Sequence, residues 1–237
     1  VSRPGGLFVT ATDTGVGKTV VTAALAHLLR ERGLAVGICK PVQSGNLAED
    51  PEGDAALLAR LGGFDTLAAG VCVYAFAAPL APRVAAEREG RRVELDPILE
   101  RVRRLEASHD AVLVEGAGGL LVPLAEGLTI ADLAARLGYA LVVVARPGLG
   151  TVNHTALTVT VARSLGLDVA GVILNGPGDP NDESEADNPR LIEELAKVTV
   201  LGRTPWLGGP LSAPKVAAEL APAIALEPLL TALGRSA

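Results

Sequence analysis

A chain of 237 residues with 49% hydrophobic and 20% charged side chains can bury a full core and still carry a solvated surface. Its formal net charge of −6 disfavours the basic face that nucleic acid or an anionic membrane requires, which leaves small molecules as the expected partners. Cys39 and Cys72 have no second thiol at metal or redox spacing and His27, His109 and His154 are scattered, so no zinc centre or disulfide framework is expected, and a reducing cytoplasm fits best.

In chain order, the N-terminal Val1-Ser2-Arg3-Pro4-Gly5-Gly6 lacks the apolar run and cleavage site of a secretory signal, so export is not expected. An apolar run at 7–10 predicts a strand, and three- and four-residue periodicity predicts a helix over 20–32. Between them lies Thr12-Asp13-Thr14-Gly15-Val16-Gly17-Lys18-Thr19, in the strand, loop, helix context of a phosphate-binding loop. Glycines let consecutive backbone N–H groups approach phosphate oxygens, and the helix N-terminus adds partial positive charge. Lys18 is then expected to reach the outer phosphates, and the Thr19 hydroxyl to ligate Mg²⁺. The loop is a variant, because Thr12 stands where the common spacing has its first glycine.

The next predicted strand, 35–39, ends at Lys40-Pro41-Val42-Gln43-Ser44-Gly45. Strand C-termini face the ligand crevice of a doubly wound sheet, which directs Lys40 toward the phosphate loop; read locally, it is also compatible with a surface lysine beside a proline turn. Ser44 alone reads as a turn serine, and Asp54, ahead of a helix at 55–61, reads locally as a cap or dipole partner. After a helix at 95–105, a strand at 111–114 ends on Glu115-Gly116-Ala117-Gly118-Gly119. An acid there suits a second Mg²⁺ carboxylate with glycines admitting substrate closely, while a tight turn with an incidental glutamate is the alternative.

A helix at 130–137, a strand at 140–145, a helix at 152–165 and a strand at 169–174 complete the pattern. The most apolar run, 139–145, is far below the roughly 20 residues that span a bilayer. Gly33, Gly62, Gly138 and Gly166 are expected to close their helices in the left-handed conformation. The polar stretch 175–190 is expected to be a solvated surface loop beside the ligand crevice, too polar to order itself by burial. Alternating strands and helices predict an α/β fold: a single P-loop NTPase-type domain over 1–237 with a doubly wound, mainly parallel sheet and helices on both faces.

The blocks at 12–19, 40–45 and 115–119, with Leu149-Gly150-Thr151-Val152-Asn153-His154 and Pro205-Trp206-Leu207, make the chain resemble the dethiobiotin synthase family over nearly its whole length. The resemblance implies an ATP-dependent cyclo-ligase. In that reaction 7,8-diaminononanoate takes up carbon dioxide as a carbamate, ATP converts it to a carbamic–phosphoric anhydride, and the second amine closes the ureido ring. The resemblance further implies Lys40, Lys18 and Thr14 as catalytic residues, and Thr19, Asp54 and Glu115 as Mg²⁺ ligands. Gly15, Val16, Gly17, Lys18, Thr19, Val20, Gly116, Ala117 and Gly118 are implied around the phosphates, and Asn175, Gly176, Pro205, Trp206 and Leu207 around the base. Ser44 is implied as a substrate contact, and Thr151, Val152 and Asn153, at a helix N-terminus, as the segment that receives the substrate carboxylate across a homodimer interface.

Three positions depart from the family pattern: Ala11 replaces a glycine, Gly176 replaces an acid after Asn175, and the 208–212 segment has no glutamate for base or ribose. The rival reading is a partition or positioning ATPase, a P-loop switch protein whose extra lysine lies five residues before the loop lysine. Asp13 occupies that position here. A cobyrinate-type amide synthetase is a nearer rival, but this length leaves no room for its glutaminase domain.

Overall fold

In the computed structural model the described residues are 5–66 and 70–235; Val1 to Pro4, part of the N-terminal stretch read above, lie outside them. β1 (Gly5–Ala11) leads through the phosphate loop into α1 (Lys18–Glu31), followed by β2 (Val36–Ser44), α2 (Asp54–Leu61), β3 (Cys72–Phe76), α3 (Pro82–Arg88), α4 (Leu95–Glu106) and β4 (Ala111–Glu115). A small antiparallel hairpin, β5 (Pro123–Ala125) and β6 (Leu128–Thr129), precedes α5 (Ile130–Leu137), β7 (Ala140–Ala145), α6 (Thr151–Ser164) and β8 (Val169–Leu174). The chain continues through α7 (Ser184–Ala196), β9 (Val200–Arg203), the short α8 (Ala213–Lys215), further helical turns to Ala223, and α9 (Glu227–Ala232).

Seven strands form one sheet in the order β3-β2-β4-β1-β7-β8-β9, with every pairing parallel. The alternation of side chains along the strands builds two cores. Leu7 and Val9 of β1, Leu113 of β4 and Val144 of β7 pack with α1, α2 and α9. Phe8, Val112 and Val114 pack on the opposite face with α4 and α5, and Val143 and Leu174 do so with α6 and α7. The expected doubly wound sheet, covered on both faces, is present. The order in which strands are added reverses beside β1, so the C-terminal ends of β4, β1 and β7 open the crevice in which such sheets bind ligands.

The structure corrects four expectations. It has seven parallel strands rather than five, because β3 and β9 lie at the sheet edges. There β3 is mostly half-buried, so it shows no unbroken apolar run. β2 does not stop at Cys39 but runs on to Ser44, because past its last pairing with β4 it stays bonded to β3 through Lys40, Val42 and Ser44. Pro41 is tolerated in this stretch because β2 is by then paired on one side only, where a missing N–H breaks no ladder.

The 175–190 stretch is not all surface loop, since α7 begins at Ser184. Asp182 accepts from the Ser184 amide and hydroxyl, Glu185 is buried against Arg203, and the buried Asn188 donates to the Pro147 carbonyl at 2.8 Å. Polar groups that satisfy one another order this segment in place of apolar burial. Finally, Gly62 keeps a right-handed conformation and the left-handed turn falls one residue later, at Gly63, whereas Gly33, Gly138 and Gly166 are left-handed as expected.

Candidate functional site

The register of the central strands sets the chemistry. Cys39 lies opposite Val114, so the next residues along, Lys40 and Glu115, come side by side at the crevice. Both share the α1 face of the sheet, since Ile38 and Leu113, two residues earlier, belong to its core. Lys40 Nζ lies 2.6 Å from Glu115 Oε1, 2.7 Å from Asp54 Oδ2 and 3.4 Å from the Gly116 carbonyl. Asp54 opens α2, and Thr19 sits in the first turn of α1 with its hydroxyl 2.9 Å from Glu115 Oε1 and 3.4 Å from Asp54 Oδ1. Thr19, Asp54 and Glu115, far apart in sequence, therefore surround one point. Glu115 Oε2 is buried and has no protein partner among the described residues.

The electrostatics follow from this crowding. Burial alone would lower the pKa of the Lys40 ammonium, but Glu115 and Asp54, through charge and hydrogen bonds, outweigh it and raise the pKa above its ordinary value. Lys18 shifts the other way: burial and then repulsion by Lys40 lower its pKa, with Glu115, Asp54 and Asp13 partly compensating. The Lys40 charge holds Asp54 below the usual carboxylate range. Lys18 opens α1 one residue before Thr19, and its ammonium, bonded to the Asp13 carbonyl at 3.5 Å, feels the Lys40 charge.

The phosphate loop is held open by a neighbour. Gly17 has φ 90°, and a Cβ on it would lie 2.1 Å from Asn175 Nδ2, so both conformation and contact require glycine there. Asn175 Nδ2 donates to the Val16 carbonyl at 2.7 Å, and the Thr204 hydroxyl donates to Asn175 Oδ1 at 2.6 Å. Asn175, expected beside the base, does line the cavity, yet its Nδ2 also braces the loop while Thr204 holds its Oδ1. Thr14 lies against the turn after Glu115, since its Oγ1 is 3.4 Å from where a Gly118 Cβ would be, and Ala117 is half-buried in the same turn.

A cavity of about 740 Å³ runs from the loop (Gly15, Val16, Gly17, Val20) to Asn175, Gly176, Pro205, Trp206 and Leu207, and Thr151 is buried at its wall. Its size suits a nucleotide. Trp206 is 66% exposed at the rim. Val152 and Asn153 are not among the cavity's walls; they are half-buried and exposed, respectively, on the first turn of α6. Ser44 is half-buried at the end of β2, four residues beyond Lys40.

Two contributors were missed in the sequence. Arg146, directly after β7, donates to the Thr14 carbonyl at 3.3 Å and pairs with Asp13 Oδ2 at 3.3 Å; its position at a strand's C-terminal end was a readable signal. Thr204 carries no local signal, because only the pairing of β8 with β9 brings it to Asn175.

A family model described as an AAA domain matches residues 5–213. A protein of Bacillus cereus named ATP-dependent dethiobiotin synthetase BioD is 50% identical over 204 residues, covering 86% of this chain and 84% of its own. One of the same name from Anaeromyxobacter dehalogenans is 53% identical over 202 residues, covering 85% and 90%. Among solved structures, a ParA family ATPase from Chlorobium tepidum superposes with a TM-score of 0.58 at 15% identity, covering 95% of this chain and 99% of its own. The MinC:MinD complex from Aquifex aeolicus gives 0.56, also at 15% identity, over 86% and 82%. The last two establish a shared P-loop fold and nothing about activity.

Proposed function

The chain belongs to the ATP-dependent dethiobiotin synthetase family, and on that premise we propose a division of labour among its residues. The family's reaction consumes ATP and forms the carbon–nitrogen bonds of a ureido ring on 7,8-diaminononanoate with carbon dioxide. One observation carries the assignment of roles: Lys40, Thr19, Asp54 and Glu115 converge within hydrogen-bonding distance beside the phosphate loop.

Lys18 and the loop from Gly15 to Thr19 take the triphosphate, with the amides at the start of α1 directed at its oxygens. A carbamate oxygen approaching the γ-phosphorus brings anion against anion, and the buried Lys18 and Lys40 lower that barrier by countering the charge in a site sheltered from water. Thr14, which lies against the Gly118 turn, is assigned to hold the carbamate beside the outer phosphate. Once the anhydride has formed and ADP has been expelled, attack by the second amine on the carbamoyl carbon expels phosphate. That step needs chiefly proximity.

Mg²⁺ fits the donor set. The oxygens that converge there are one hydroxyl and two carboxylates, both carboxylates paired to the Lys40 ammonium, and Mg²⁺ is ordinarily held by one or two carboxylates while water and phosphate complete its shell. Thr19, Asp54 and Glu115 would hold it, and when bound it supplies neutralisation of the β- and γ-phosphate charge.

Asn175, Gly176 and Pro205 to Leu207 are assigned to the base, and Ser44 to the substrate. The chain is assigned a single domain over 1–237 and a place in the cytoplasm, which the biosynthetic names of its relatives favour. A homodimer is favoured by the exposed Leu157, which follows Asn153 on one face of α6, and by Leu149 at 85% exposure just before that helix. Its helix N-terminus, with Thr151 and Val152, would receive the partner site's substrate carboxylate.

The test is ADP release measured with and without the diamine and bicarbonate, with product followed by mass spectrometry. Release that requires both, with a cyclic urea formed in equal amount, is expected. Turnover indifferent to the diamine would refute the reading.

A further inference from the structure

Lys40 and a divalent ion compete for the same oxygens. Glu115 Oε1 faces the Lys40 ammonium at 2.6 Å and the Thr19 hydroxyl at 2.9 Å, and Asp54 Oδ2 lies 2.7 Å from the same ammonium. The Lys40 side chain is 1% exposed and that of Glu115 0%, so water cannot replace either partner in place. An ion that takes Thr19 as a ligand must approach the Oε1 edge of Glu115, because that is the edge the hydroxyl meets. It therefore enters where the ammonium already sits, and a double charge cannot share that point with a single one at hydrogen-bonding distance. Lys18 is near enough to feel both carboxylates, but its ammonium is bonded to the Asp13 carbonyl at 3.5 Å.

We propose that Lys40 is a tethered counter-ion of the metal site. It holds Asp54 and Glu115 together while no metal is bound, and it is displaced when Mg²⁺ enters. Only then is it free to meet the anionic carbamate and γ-phosphate. The inference rests on the ligand set assigned above and adds an order to it: the cation that assists phosphoryl transfer becomes available only after the metal has arrived. Both carboxylates thus keep a cation in either state, which two close like charges require.

Titration of nucleotide-free protein with Mn²⁺, read by electron paramagnetic resonance, separates the possibilities. Lys40→Met is expected to bind Mn²⁺ at least about tenfold more tightly than wild type, whereas Lys18→Met, which removes a nearby charge without freeing a carboxylate, is expected to change affinity less than about threefold. A second arm uses the unaltered protein with its four lysines carrying carbon-13 at the ε position. Added Mg²⁺ should shift the Lys40 resonance with a midpoint equal to the metal's Kd.

Equal tightening in both variants would overturn the proposal, as would Mg²⁺ binding that leaves the Lys40 resonance in place because the ion uses Glu115 Oε2. If Lys40→Met does not fold, the resonance alone decides. Failure of the underlying ligand set looks different: wild-type Mn²⁺ affinity in both Glu115→Gln and Thr19→Val.

Discussion

Lys40 and Thr19 touch the same carboxylates yet should fail in different ways when altered. Lys40→Ala is expected to lower product formation by about 10²–10³-fold, the usual cost of losing one preorganised charge donor, with triphosphate affinity little changed. Thr19→Val is expected to weaken Mg²⁺–nucleotide binding itself; calorimetry beside turnover separates the two, and equal loss of affinity in both would count against separate roles. Gly17→Ala should abolish nucleotide binding, because the residue sits at φ 90° and the new methyl group, 2.1 Å from the Asn175 amide nitrogen, would displace the group that donates to the Val16 carbonyl. Trp206, the sole tryptophan and exposed at the cavity rim, offers the readout: nucleotide should change its fluorescence in wild type and leave it unchanged in the variant. The types and order of these residues were readable in the sequence. That Asn175 is a brace for the loop as well as part of the cavity wall was not, since its partners Val16 and Thr204 are brought to it by strand pairing.

Among the elements, α5 has the best-defined start. Thr129 and Asp132 form a capping box, in which Asp132 Oδ2 accepts from the Thr129 amide at 2.7 Å and the Asp132 amide donates to Thr129 Oγ1 at 3.4 Å. Thr129→Ala should cost about 1 kcal/mol in chemical denaturation. The Thr129 hydrogen bonds lower the pKa of Asp132 below its ordinary 3.8. A carboxyl with a depressed folded pKa stabilises fully above its unfolded value and loses that contribution as pH falls through the folded one. Asp132→Asn should therefore flatten the acid side of the melting-temperature profile below about pH 4 and leave its slope near neutrality unchanged; an identical acid limb would contradict this. The elements that sequence periodicity revealed were the five central strands and the helices α1, α2, α4, α5 and α6. Edge strands β3 and β9 escaped it because one side of each meets solvent or loop, and the whole of α7 escaped because the order of its first turns comes from the Glu185–Arg203 pair and Asn188 rather than from apolar spacing.

For the whole molecule, the proposed active site draws Lys40 from one protomer and the start of α6 from its partner. Mixing Lys40→Ala with Asn153→Asp, the latter placing a negative charge where the substrate carboxylate would bind, should restore about a quarter of wild-type activity, since half of randomly formed dimers are mixed and each has one intact site. Remixed protein no more active than the two parents would oppose a shared site. The sequence by itself determined the layered α/β architecture, the phosphate loop and the identity of the charged residues at strand ends, because these depend on local periodicity and on glycine, lysine and acid at fixed spacing. Only the tertiary structure decided that Lys40 lies between Asp54 and Glu115, that Asn175 supports the loop, and that Arg146 pairs with Asp13. Those contacts depend on strand register and on which helix covers which face, and residues far apart in the chain settle both through packing that no local window contains.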